Sequence, residues 1–149
     1  RAKNNRTTFV SEEEILSLEK RLISDPQTKY PLDELLNNVM LGDMERMVTL
    51  VPDKSVDLLF LDPPYNLTKD FGNNSFKKLS DLEYEEVFRN WLTLLIPKLK
   101  DTASIYVCCD WKSSHPIYNV LNSKFIIRNR ITWEREKGRG SQTNWKNLR

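Results

Sequence analysis

Five consecutive residues, Asp62-Pro63-Pro64-Tyr65-Asn66, directly follow an apolar run and could together bind a planar amine. Both prolines lack a backbone N–H, so the main chain offers acceptors but no donors at these two positions. The Asp62 carboxylate is a further acceptor, and Tyr65 adds a flat aromatic face. A planar group with two N–H donors, such as the exocyclic amine of a nucleobase, suits this arrangement, whereas a phosphate would be repelled.

Other common active sites lack the residues that they require. His115 is the sole histidine, and no Ser/His/Asp or Cys/His arrangement indicates acyl transfer. One histidine and no spaced cysteine pair argue against a metal site. Cys108 and Cys109 are adjacent in an apolar run, which is typical of reduced, buried thiols in a cytoplasmic protein. No apolar run approaches the roughly 18 residues of a membrane span, so we expect no membrane partner.

The charge distribution favours a nucleic-acid partner. The chain has 149 residues and a net charge of only +2, which indicates nothing by itself. The acids concentrate in the first half, however, and Lys and Arg outnumber Glu between residues 124 and 149, interleaved with Trp133 and Trp145. A nucleic-acid groove needs basic and aromatic residues of this kind, although a solvated surface would look similar.

The residues before Asp62 predict a strand that positions it. The run VDLLFLD is continuous and apolar, which is typical of a strand in a parallel sheet with both faces covered. The runs NVMLGD and ASIYVCCD also end in an acid, so we expect Asp43, Asp62 and Asp110 at the edge of the sheet where its strands end. A single acid after a strand is more often a helix N-cap.

The remaining elements alternate with these strands. Ser11 with Glu14, and Ser80 with Glu83, are capping boxes that predict helices over residues 12–24 and from residue 81 onward. Apolar residues recur at helical spacing in the second helix: Tyr84, Val87, Phe88, Trp91, Leu92, Leu95 and Leu99. PLDELL and MERMVTLV predict short helical turns, residues 67–79 a loop, HPIYNVLNS a helix and KFIIRNRITWER a strand. This alternation predicts a doubly wound, mostly parallel α/β fold.

The run Asp62-Pro63-Pro64-Tyr65 resembles the catalytic motif of amino-methyltransferases that use S-adenosylmethionine. The Asp form followed by Asn66 resembles the adenine-N6 DNA methyltransferases, since cytosine-N4 enzymes usually carry Ser at the first position. The resemblance covers about residues 38 to 149 and matches the N-terminal half of the permuted beta group, which implies a Rossmann-like sheet. The cofactor loop of that group, Phe-x-Gly-x-Gly, is absent from this sequence. We therefore expect a fragment, inactive alone, that needs a C-terminal half or a complementing chain; a homodimer is left open.

The resemblance also implies roles for individual residues. Asp62 and the Pro63 carbonyl would accept hydrogen bonds from the N6 amine of a flipped adenine, and Tyr65 would stack on the base, with Pro64 completing the motif. Asp43 and Asp62 would bind S-adenosylmethionine, with Asp43 contacting its adenosyl amine, although capping of the next helix explains Asp43 equally well. The nitrogen would then attack the methyl group in line, with orientation and preorganised acceptors supplying the rate.

The basic C-terminal end is expected to face double-stranded DNA. Lys137, Arg139 and Lys146 could neutralise phosphates, and Asn144 and Gln142 could contact adenine edges, although a surface loop explains the composition equally well. We predict three segments: a helical arm over residues 1–36, a catalytic half over 37–136 and a basic DNA-facing loop over 137–149.

Other functions stay open at this point. The chain could be a methyltransferase acting on RNA or on a protein glutamine, because a planar amide also presents an NH₂ group. It could also be a non-catalytic nucleic-acid-binding subunit. The biological role, restriction protection or regulation, is not encoded in these residues.

Overall fold

The element that carries Asp62 is strand β1, Val56–Leu61, which pairs in parallel with strand β4, Leu99–Val107. Their register matches Leu59 with Ile105 and Leu61 with Val107. The structure, a computed structural model, describes residues 10–70 and 75–133. The chain divides into two units, Arg1–Pro52 and Asp53–Arg149, and each is described separately. The predicted segment boundaries at residues 36 and 136 stay a prediction.

The first unit holds three short helices: α1, Glu12–Glu19; α2, Leu32–Leu35; and α3, Met44–Met47, which continues into a 3-10 turn, Val48–Leu50. The capping box at Ser11 and Glu14 is confirmed, because each side chain bonds the backbone N–H of the other. Helix α1 ends earlier than predicted, at Glu19, and buries none of its residues.

The strand predicted over NVMLGD is wrong. Within the first unit, this segment forms only an isolated parallel bridge between Met40 and Ile23. Two hydrogen bonds make the bridge: the Ile23 N–H donates to the Val39 carbonyl, and the Leu41 N–H donates to the Ile23 carbonyl. The apolar run is too short to form a ladder, so Asp43 does not follow a strand.

The second unit places helix α4, Asp81–Leu95, and helix α5, Ser114–Asn122, around the strand pair. The capping box at Ser80 and Glu83 starts α4 as predicted. Pro97 lies in a 3-10 turn, Ile96–Lys98, which ends the helix and leads into β4. Leu99, predicted on the helix, is therefore the first residue of the strand. The segment predicted as a loop contains a small antiparallel pair, β2, Lys69–Asp70, and β3, Ser75–Phe76.

One face of the strand pair and the two helices form the core of this unit. Its fully packed members come from both helices: Tyr84, Phe88, Leu92, Ile117 and Val120. Leu61 of β1 and Val107 of β4 pack against this cluster. Burying one such large apolar side chain stabilises the fold by about 1.5–3 kcal/mol, so this cluster holds the end of β1 in place.

The opposite face of the strand pair is exposed, which corrects the expectation of a strand covered on both sides. Leu58 and Phe60 are 56% and 66% exposed, and Tyr106 is 48% exposed. Phe60 and Tyr106 stack across the two strands with ring centroids 6.2 Å apart. An apolar run therefore predicted the strand correctly, but it did not show which faces other elements cover.

The strand predicted over KFIIRNRITWER is also not observed in the part that the structure describes. Residues 126–133 have no regular secondary structure, and Ile126 and Ile131 are both 76% exposed. Phe125 packs instead against the core cluster. The described residues thus form an α/β unit with a parallel strand pair.

Candidate active site

Asp62 lies where the sequence places it, immediately after β1 at the carboxyl edge of the strand pair. The Cys108 N–H donates to the Leu61 carbonyl at 2.8 Å, so the pairing extends one residue beyond β4. The Asp62 side chain is exposed although the strand end beneath it is packed into the core. Asp62 therefore presents a carboxylate to solvent from a fixed position on the backbone.

The Asp62 carboxylate accepts a hydrogen bond from the Tyr65 hydroxyl. Burial, this bond and the negative charge of Asp62 raise the pKa of Tyr65 to about 12, so the phenol stays protonated at neutral pH. A carboxylate has about four lone-pair sites, so the remaining sites can still accept from an amine. The structure brings Tyr65 and Asp62 together, as the sequence predicts.

The two prolines differ in their surroundings. Pro63 is buried and Pro64 is exposed. The Pro64 carbonyl accepts a hydrogen bond from the Tyr84 hydroxyl of α4 at 2.8 Å. Burial raises the pKa of Tyr84 to about 12, and the nearby charges of Asp110 and others add to the effect. The backbone of the turn is thus bonded to a core tyrosine.

Asn66 joins the end of the turn to the start of α4 and to α5. Its side-chain amide donates to the Leu79 carbonyl at 2.9 Å, and its side-chain oxygen accepts from the Leu79 N–H at 2.8 Å. Its backbone N–H donates to the Ser113 hydroxyl at 3.1 Å. Asn66 is only 8% exposed, so these bonds are shielded from water. They bring the two ends of the segment between residues 66 and 79 together.

The other two predicted acids each accept a hydrogen bond from a nearby backbone N–H. Asp110 is 8% exposed and accepts from the Ser113 N–H at 2.8 Å, in the turn that leads into α5. In the first unit, Asp43 is the N-cap of α3 and accepts from the Glu45 N–H at 2.9 Å. A Cβ on Gly42 would lie 2.8 Å from Met47, so glycine at that position has a packing explanation as well. Of these three acids, Asp62 is the one that is exposed and follows the paired strand β1 directly.

A family model described as DNA methylase matches residues 56–148, more than half of the chain. The chain belongs to this DNA methylase family. The match includes the turn from Asp62 to Asn66 and confirms the resemblance noted in the sequence. It begins after Asp43, so it adds nothing about the predicted cofactor contact of that residue.

The chain is also similar to methyltransferases from several bacteria. It is 29% identical to the type II methyltransferase M.HinfI of Haemophilus influenzae over 121 residues, which are 72% of this chain and 34% of the relative. It is 32% identical to the type II methyltransferase M.BamHI of Bacillus amyloliquefaciens, over 65% of this chain and 23% of the relative. It is 32% identical to the DNA adenine methyltransferase YhdJ of Escherichia coli strain K12, over 62% of this chain and 31% of the relative. The chain therefore spans about a third or less of each relative's length.

The remaining candidate residues differ in whether the structure describes them. Lys137, Arg139, Asn144 and Lys146, predicted to contact DNA, lie outside the residues that the structure describes, so their role stays a prediction. Trp111 is described and is 61% exposed, with the Lys112 ammonium 5.9 Å from its ring centroid. Trp111 therefore lies outside the core cluster.

The described residues contain no group of three His, Cys, Asp or Glu side chains that could hold a metal ion. Cys108 and Cys109 are free thiols, partly exposed where buried thiols were predicted, and burial raises the pKa of both. Across residues 10–70 and 75–133, every helix is too short or too polar to cross a membrane.

Sequence reasoning did not identify the side chains that hold the turn. Helical spacing places Tyr84 on the apolar face of a helix, but it does not show where the Tyr84 hydroxyl points. Ser113 was not singled out, and Asn66 was noted only as part of a resemblance. The sequence did contain one clue: two adjacent prolines remove two backbone donors from the turn, which favours donors from other elements.

Proposed function

We propose that this DNA methylase transfers a methyl group from S-adenosylmethionine to the N6 amine of an adenine flipped out of double-stranded DNA. The exposed Asp62 carboxylate, fixed at the end of β1 beside Pro63 and Tyr65, carries the proposal. Membership of the DNA methylase family supports the DNA substrate. The aspartate at the first position of the turn, together with a relative named a DNA adenine methyltransferase, supports adenine over cytosine.

In this proposal the turn binds the amine through acceptors. Asp62 and the Pro63 carbonyl each accept one N–H of the target amine, which keeps the nitrogen lone pair from delocalising into the ring. The Tyr65 hydroxyl either releases the Asp62 carboxylate or shares it with the amine. The Tyr65 ring stacks on the base. Flipping the base costs about a few kcal/mol, and these contacts offset that cost.

The cofactor supplies an electrophilic methyl group when it is bound. The chemistry of the site fits such a group, because an exposed carboxylate suits a cationic ligand as well as an amine. The chain itself holds no Phe-x-Gly-x-Gly loop. We therefore propose that a C-terminal half or a complementing chain completes the cofactor site, and that Asp43 contributes its second carboxylate oxygen there.

The exposed sheet face supports a larger Rossmann-like sheet. Leu58, Phe60 and Tyr106 form an apolar surface of a kind that soluble proteins seldom leave uncovered. In the proposal, further strands and helices of the same methyltransferase domain complete and cover the strand pair. The arm over residues 1–36, the catalytic half over 37–136 and the DNA-facing loop over 137–149 remain part of this proposal, as does a cytoplasmic location.

The catalytic role of Asp62 is tested by Asp62→Ala in the complete methyltransferase that contains this chain. Methyl transfer from labelled cofactor to duplexes should fall by about a hundredfold or more, because the replaced carboxylate is a preorganised acceptor. Binding of duplex DNA should stay within about twofold, because contacts between basic groups and phosphates supply most of the affinity and a carboxylate does not contribute to them. Asp57→Ala is the matched control, because Asp57 lies on the same strand and only pairs with Lys100 at 2.7 Å on the surface. Retained turnover in Asp62→Ala would refute the role.

Substrate choice is tested with duplexes that contain either adenine or cytosine as the only amine-bearing target, and with RNA and a glutamine peptide. Transfer to adenine alone supports the proposal, and transfer to another substrate identifies one of the alternatives. Titration calorimetry of residues 1–149 with S-adenosylmethionine tests the incomplete cofactor site. Tight binding by this chain alone would contradict it.

A non-catalytic nucleic-acid-binding subunit is the second candidate, because the basic and aromatic residues between 124 and 149 suit a nucleic-acid groove without requiring catalysis. In that case Asp62→Ala would change neither DNA binding nor the methyl transfer of an active partner chain.

A further inference from the structure

The turn after β1 has few backbone donors of its own, and within it the Leu67 N–H donates to the Tyr65 carbonyl at 2.6 Å. Pro63 and Pro64 have no N–H, so neither can donate the hydrogen bond that closes most turns. The Pro64 carbonyl needs a donor from another element, and the Tyr84 hydroxyl supplies it at 2.8 Å. This bond acts on the peptide that joins Pro64 to Tyr65, two residues from Asp62.

Tyr84 is itself held firmly. Its backbone N–H donates to the Ser80 carbonyl at 3.0 Å, in the first turn of α4 that the capping box fixes. Its side chain is 3% exposed and packs with Phe88 and Ile117 in the core cluster. The raised pKa of Tyr84 keeps the hydroxyl protonated and therefore a donor at every physiological pH. The tyrosine side chain has only two χ angles, so the position of its hydroxyl oxygen is nearly fixed once the ring is packed.

At the end of the turn, a buried hydroxyl acts as a hydrogen-bond acceptor instead of a donor. The Ser113 hydroxyl, 1% exposed, accepts from the Asn66 N–H at 3.1 Å. Two buried hydroxyls from α4 and from the start of α5 therefore bond the two backbone groups that flank Tyr65. Asp62, at the start of the turn, is exposed and can contact a ligand.

We propose that Tyr84 is a positioning residue for the transfer reaction: through the Pro64 carbonyl it fixes the turn so that Asp62, the Pro63 carbonyl and Tyr65 meet the target amine in one geometry. The proposal rests on the proposed function. It assigns Tyr84 no contact with the base or the cofactor.

The hydrogen bond alone does not decide between positioning and ordinary packing, since most buried tyrosine hydroxyls find a partner. Tyr84→Phe separates the two, because it keeps the ring and removes only the donor. The assay uses the complete methyltransferase and measures the single-turnover rate at saturating DNA and cofactor, together with the KM for DNA. Tyr118→Phe is the matched control, because Tyr118 of α5 is 52% exposed and takes no part in the site.

A positioning role predicts a loss in rate without a loss in binding. The single-turnover rate of Tyr84→Phe should fall about tenfold to a hundredfold, as expected for a misplaced reacting group, while the KM for DNA stays within about twofold. Tyr118→Phe should match the wild type. A Tyr84→Phe rate within about twofold of the wild type, or a loss confined to KM, would overturn the proposal.

Replacement of Tyr84 by 4-aminophenylalanine restores an N–H donor at the same place. Its rate should return to within about threefold of the wild type, and a rate as low as that of Tyr84→Phe would overturn the proposal. A Tyr84→Phe enzyme that does not fold would overturn it too, because the hydroxyl would then serve folding. The proposed function has a separate outcome: it fails if Asp62→Ala remains active, whatever Tyr84→Phe does.

Discussion

Asn66 offers the sharpest test of how the turn is held. Asn66→Ala removes the two side-chain hydrogen bonds to Leu79 and leaves the backbone bond to Ser113 in place. Each lost bond costs about 0.5–1.5 kcal/mol, so the free energy of unfolding should fall by about 1–3 kcal/mol. The upper half of this range is expected, because Asn66 is 8% exposed and water replaces the lost partners poorly.

Asn66→Asp adds a pH dependence to the same test. A protonated carboxyl group can donate to the Leu79 carbonyl and accept from the Leu79 N–H, as the amide does, but a carboxylate has no donor and faces a carbonyl. Burial and that carbonyl should raise the pKa of the introduced group above its unfolded value of about 3.9. The variant should therefore be nearly as stable as the wild type below this value and lose stability as the pH rises through the raised folded pKa.

Urea unfolding of residues 1–149, followed by tryptophan fluorescence, measures both effects against the wild type at each pH. Asn119→Ala is the control, because Asn119 of α5 bonds Glu85 at the protein surface and its loss should cost less than about 0.5 kcal/mol. The reasoning is refuted if Asn66→Ala is no more destabilising than Asn119→Ala. It is also refuted if the deficit of Asn66→Asp is the same at pH 3 and pH 7.

Two further predictions concern the helix cap and the tyrosine. Ser80→Ala should lower the free energy of unfolding of residues 1–149, measured in urea, by about 1 kcal/mol. Ser11→Ala should have a much smaller effect, because α1 buries no residue. Equal effects of the two substitutions would contradict this prediction. The Ser80 cap should also weaken as the pH falls through the pKa of Glu83, which its hydrogen bonds to Ser80 lower. Asp62→Asn should lower the pKa of Tyr65 from about 12 toward 10, measured by NMR titration of labelled tyrosine, because it removes a negative charge and an ionic acceptor; an unchanged value would show that burial alone sets it.

Local features of this protein could be predicted from the sequence because they depend on neighbouring residues. Both capping boxes form as Ser-x-x-Glu predicts, since donor and acceptor lie within one helical turn. Asp62 follows a strand as the apolar run before it predicts. The family resemblance rested on four adjacent residues, and the family match confirms it.

Other predictions failed because they depended on partners distant in the chain. The apolar residues of NVMLGD pair only at Met40, and residues 126–133 form no strand, although both segments have strand-like composition. The same limit applies to β1, whose uniform apolar run did not reveal the exposed side of Leu58 and Phe60. A strand requires a partner, and composition does not supply one.

The sequence by itself determined the acceptor chemistry of the turn, because proline removes donors and aspartate adds a carboxylate wherever they lie. Only the tertiary structure decided what holds that turn and which acid is available for chemistry. Asp110 accepts from a backbone N–H in the turn before α5 and Asp43 caps α3, while Asp62 stays exposed. Tyr84, Asn66 and Ser113 act on the turn because folding brings α4 and the start of α5 against it, over sequence separations of 20 and 47 residues for the Tyr84 and Ser113 bonds.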